Sequence, residues 1–133
     1  MKYLFIALTA FSLLQLTACK ETDSALNAAN NERMKDSVFR AHPEIRYFGI
    51  EIEESSKVEI TCGSEALFNA DAAKQEEIAK YLADVTYHFH NEHNYLSEGK
   101  VKFTAAQDHM PTESDPVKEV DMHLKEVVKS HEK

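Results

Sequence analysis

Two short runs constrain the fold more than anything else in the chain. In RYFGIEIEE (residues 46–54), Phe48, Ile50 and Ile52 alternate with Gly49, Glu51 and Glu53. In KVEITCG (residues 57–63), Val58, Ile60 and Cys62 alternate with Lys57, Glu59 and Thr61. Successive side chains of a strand point to opposite faces, so each run presents one apolar and one polar face. Glu54-Ser55-Ser56 between them is short enough for a hairpin turn. Cys62 falls on the apolar face. Its phase predicts a buried small hydrophobe, not a reactive thiol or a nucleophile.

The remaining elements are placed around this hairpin. Upstream, Met34, Val38 and Ala41 repeat at helical spacing, with Phe39 beside them, until Pro43 stops the helix. Downstream, Asn69 or Asp71 can cap a helix through AAKQEEIAKYLADV, a segment rich in strong helix formers. Ile78, Leu82, Val85 and Phe89, with Tyr81 beside them, form its predicted core stripe, and Lys74, Glu77 and Lys80 face water. Next, KVKFTA alternates Val101, Phe103 and Ala105 with Lys100, Lys102 and Thr104, which predicts a third strand. Its outward lysines are expected to oppose the outward glutamates of the hairpin. After a loop containing Pro111, Asp115 as N-cap and Pro116 at the first helical position predict a last helix. Val117, Val120, Leu124 and Val127 form its stripe, widened by Val128. Lys125, Lys129 and Lys133 suit the negative end of its dipole.

The expected order is α-β-β-α-β-α. The expected fold is a small α+β domain, a three-stranded sheet with helices packed on its one apolar face. A crossover from the second strand through the long helix to the third is right-handed if those strands are parallel. This element order resembles the BON domain of envelope proteins. The glycine-bearing "V-x-L-x-G" pattern of BON strands is approached only by VEITCG, so the resemblance is one of fold and carries no function.

The first twenty residues, MKYLFIALTAFSLLQLTACK, have a basic start at Lys2 and an apolar run too short to span a bilayer. Leu16-Thr17-Ala18-Cys19 resembles the lipobox of bacterial lipoproteins at all four positions. That resemblance implies cleavage before Cys19, diacylglycerol on its sulfur and a further acyl chain on its amine. Each buried CH₂ contributes about 0.8 kcal/mol, so several chains make a stable anchor. In lipoproteins of the enterobacterial type an aspartate after the cysteine retains the protein in the inner membrane. Lys20 stands there instead, which implies the outer membrane, facing the periplasm. The expected organisation is a signal peptide at 1–18, a lipidated N-terminus and tether at 19–30, and one domain at 31–133. With lipid on Cys19, Cys62 has no partner within the chain.

The net charge is −8, and loss of Lys2 with the signal makes the remainder more acidic. That argues against nonspecific nucleic-acid binding; such a charge serves solubility, or favours a basic envelope protein as partner.

The remaining candidate chemistry is the segment YHFHNEHNY (residues 87–95), which holds three of the chain's seven histidines. In a helix His90 and His93 share a face while His88 points about 200° away from His90. In an extended chain His88 and His90 share a face and His93 does not. Three ligands from this run therefore fit neither regular state. A pair, His90 and His93, completed by Glu92, His109 or His123, suits Zn, Cu or Ni, with Zn or Cu the leading choice. The alternative is a polar helix end, with histidine favourable near the C-terminal dipole.

No serine sits in a G-x-S-x-G elbow, and three glycines cannot build a phosphate loop. The stretch from VEI through ALFNADAAKQEEIAKYLADV is similar to the opening of an OmpA-like peptidoglycan-binding domain. It lacks the G-H-T-D and N-x-x-L-S-x-x-R-A motifs that carry that family's ligand contacts, so no binding residue follows from it. The leading expectation is a lipid-anchored, non-enzymatic binding or structural accessory of the envelope. A periplasmic metal-binding lipoprotein and a peptidoglycan-associated module are the alternatives.

Overall fold

The computed structural model describes residues 25–54, 56–91 and 96–132. Helix α1 (residues 25–41) reaches back through the second half of the stretch read as a tether. Met34 and Val38 are fully buried on its inner face, and the chain leaves the helix at His42, one residue before Pro43. Strands β1 (Tyr47–Glu53) and β2 (Lys57–Gly63) form the antiparallel hairpin. Phe48 opposes Cys62, Ile50 opposes Ile60 and Ile52 opposes Val58, so the apolar residues of both strands share one face. Glu54, in the turn, takes a positive φ of 54°.

Two helices follow. Ser64 caps the short α2 (Glu65–Phe68), its hydroxyl accepting from the Leu67 amide at 3.2 Å. Asp71 caps the long α3 (Ala72–His90) by accepting from the Lys74 amide at 2.8 Å. Strand β3 (Glu98–Thr104) then runs parallel to β2, the pairing that a β-α-β crossover produces.

The expected last helix is corrected by the structure. Residues 117–121 form a fourth strand, β4 (Val117–Asp121), antiparallel to β3, and only Leu124–Glu132 is helical, as α4. The sheet has four strands in the order β1-β2-β3-β4, not three. Val101 and Phe103 of β3 are completely buried. Backbone groups at such depth need partners on both sides, and β4 supplies the second side. Asp115 caps no helix. Its carboxylate accepts from the Thr112 amide at 2.9 Å, a local turn. His123, at φ 52°, turns the chain from β4 into α4.

The fold is α+β, and the core lies between the helices and the face bearing Phe48, Val58, Ile60, Cys62, Val101 and Phe103. Gly99 lies on that face beneath α4. A Cβ there would stand 2.7 Å from Leu124 Cδ1 and 2.8 Å from Met122 Sδ. The predicted stripe of α3 is also rotated. Its fully buried line runs through Ile78, Leu82, Thr86 and His90, and Val85 and Phe89 sit half-buried beside it. Thr86 is accommodated because its hydroxyl donates to the Leu82 carbonyl at 2.6 Å. Among the described residues no helix is long and apolar enough to cross a membrane.

Candidate functional site

The sheet face away from the helices carries charged residues of all four strands; Lys118 of β4 is on the other face, where its Nζ donates to the Phe68 carbonyl at 2.7 Å. Across it Glu51, Glu59, Lys100 and Asp121 lie in one row, and Gly49, Thr61, Lys102 and Glu119 in the next. Glu59 stands near the centre. Lys102 Nζ lies 2.7 Å from its Oε1 and Lys100 Nζ 3.8 Å from its Oε2. Lys100 also reaches Glu119 at 3.5 Å. The two contacts to Glu59 are the expected cross-strand pairs; the one to Glu119 joins the fourth strand, which was not expected.

The hydrogen bond from Lys102, with the charges of Lys102 and Lys100, holds the Glu59 carboxyl below its ordinary range against a modest cost of burial. The same hydrogen bond raises the pKa of Lys102. Glu59 is therefore committed within the sheet. Glu51 and Glu53 are exposed at the β1 edge of this face, and Glu98, Glu119 and Asp121 are exposed across β3 and β4. Where β2 and β3 end, the chain after β3 folds over the same face. A Cβ on Gly63 would collide with the Ala106 carbonyl oxygen and approach Tyr47 Cβ to 2.6 Å.

The histidine segment is split. His88 is exposed, its ring edge-on to Phe89 at 5.0 Å between centroids. His90 is fully buried as the last residue of α3, so the alternative reading of this residue as part of a polar helix end is corrected. His93 and Glu92 lie outside the described residues, as do Cys19 and the lipobox. The two other histidines considered as ligands stand elsewhere. His123 is exposed, 3.9 Å from Asp121. His109 is exposed in the loop between β3 and β4, with Nδ1 2.7 Å from Asp108 and Nε2 3.3 Å from Asp115. Among the described residues no three His, Cys, Asp or Glu side chains gather in a way fit to hold a metal ion.

The His109 cluster escaped the sequence reading. The two aspartates raise the pKa of His109, Asp108 most. Asp115 is lowered, first by the Thr112 amide. The legible signal is a loop in which the turn formers Asp108 and Asp115 flank one histidine, with Thr112 and Ser114 between them. Cys62 is fully buried, and burial pushes its thiol pKa far up, so it is no nucleophile at neutral pH.

A groove of about 820 Å³ lies between α3 and the β4–α4 corner. Glu76, Glu77, Asp84, Asp121 and Glu126 line it, against Lys80 and His123. These surfaces offer charge and hydrogen bonding for recognition. Comparison with known proteins finds no matching family model, no matching curated protein and no matching solved structure.

Proposed function

We propose that the protein is a lipid-anchored component of a bacterial cell envelope, tied to the outer membrane through Cys19 and serving as a binding or structural accessory. The observation that carries this reading is the tetrad Leu16-Thr17-Ala18-Cys19, placed directly after a short apolar run with a basic start. The fold supports the binding half. Helices cover one face of the sheet, and the other presents Glu51 and Glu53 beside a paired Glu59–Lys102 centre. A surface of this kind suits a basic envelope partner.

Crosslinking in the native cell tests this. The wild-type chain is expected to capture one envelope protein, and Glu51→Lys with Glu53→Lys is expected to lose it while the fold stays intact. Recovery of the bare wild-type protein, or equal capture by the double variant, contradicts the binding role.

A further inference from the structure

We infer that the protein has a fixed polarity on the membrane: the end of the domain formed by the start of α1, the β1–β2 turn and the end of α3 faces the lipid surface. This inference rests on lipidation of Cys19.

Contacts along α1 define the polarity. Near its C-terminal end, the Phe39 ring meets Phe48 at 6.5 Å between centroids. The Ile45 amide donates to the His42 carbonyl at 3.0 Å, and the Arg46 amide donates to the Gly63 carbonyl at 2.8 Å. This end of α1 therefore lies where β1 begins and β2 finishes. Running back along the helix, Met34 Sδ meets the Thr86 hydroxyl at 3.9 Å. The Arg33 guanidinium then lies over the Phe89 ring at 5.6 Å. Helices α1 and α3 are thus antiparallel. Residue 25 stands about 12 Å beyond Arg33, at 1.5 Å rise per residue. It points toward the opposite end of the sheet, where the Ser97 amide donates to the Ser56 carbonyl at 2.9 Å.

Six Cα steps separate Cys19 from residue 25 in the sequence. Even fully extended they reach only about 20 Å. A domain of this size is roughly 30 Å across. Turning the far end to the membrane would lift residue 25 by a full domain width, beyond that reach. Among the described residues, the large exposed apolar side chains divide in the same way. Leu26 lies on the first turn of α1, and Met110 and Val117 lie at the opposite end, in the loop after β3 and at the start of β4. The polarity gives Leu26 a lipid surface and leaves Met110, Val117 and the His109 loop facing away from it.

The test uses the full lipidated protein in phosphatidylethanolamine–phosphatidylglycerol vesicles carrying a headgroup nitroxide. Single cysteines are introduced by Ala28→Cys, Lys57→Cys, Met110→Cys and Glu113→Cys and given a fluorophore. Cys62 is buried and stays unlabelled. Quenching several-fold greater at positions 28 and 57 than at 110 and 113 is expected. Equal quenching, or the reverse order, on protein whose mass shows acylated Cys19 overturns the polarity alone. A mass without acyl chains on Cys19 overturns the anchor and the polarity with it.

Discussion

Glu59 shows how one residue ties the outer face of the sheet together. It receives Lys102 from the parallel neighbour β3 at 2.7 Å and shares Lys100 with Glu119 of β4. Replacing it by glutamine removes the charge and leaves two lysines side by side. Such pairs contribute about 0.2–1 kcal/mol, so Glu59→Gln is expected to lower stability at neutral pH by an amount in that range. The pH dependence follows from the two shifts. Glu59 is lowered from 4.5, so its contribution is complete above that value and is lost as pH falls through the lowered folded pKa. Lys102 is raised from 10.5, so its contribution is complete below that value and is lost as pH rises through the raised folded pKa. Chemical denaturation of wild type and Glu59→Gln should differ across the neutral range and converge in strong acid. A constant difference at all pH values contradicts this role for the charge. The pairing was legible in the sequence because period-two alternation places Glu59 and Lys102 on a non-core face before any partner is known. His90 was not legible. A stripe drawn through apolar residues alone passes over Thr86 and His90, yet these continue the buried line of Ile78 and Leu82.

At the scale of elements, β4 is where sequence and structure part. Val117, Val120, Leu124 and Val127 satisfy a helical repeat, and Asp115-Pro116 supplies a plausible start. The repeat holds for Leu124 and Val127, both buried, whereas Val117 is exposed and Val120 half-buried against the core. Local pattern cannot register that β3 requires a second pairing edge, because that requirement arises only when the sheet assembles. The hairpin of β1 and β2 needed no such knowledge, since both its partners and its turn are adjacent in sequence. Val120→Ala separates the two readings of this segment. Alanine is the stronger helix former and the weaker strand former. In the strand Val120 opposes Val101, so the variant is expected to lose about 1 kcal/mol in denaturant unfolding. An unchanged or increased stability contradicts the strand assignment.

For the molecule as a whole, the arrangement is one-sided. Four helices and the strand faces they cover hold the core, and the opposite sheet face holds paired charge at its centre and exposed carboxylates at the β1 edge. On the proposed reading the location of the protein would depend on four residues outside the described ones, Leu16 to Cys19, through covalent lipid chemistry. The acyl chains they imply would make membrane attachment independent of any apolar surface on the domain.

The most direct measurement is therefore the distribution of wild type and Cys19→Ala between membrane and soluble fractions of the native cell, with acyl labelling followed in parallel. The wild-type protein is expected in the membrane fraction with incorporated label. Cys19→Ala is expected to leave the membrane fraction and carry no label. A Cys19→Ala protein that stays in the membrane fraction to the same extent would contradict the anchor on which the account depends.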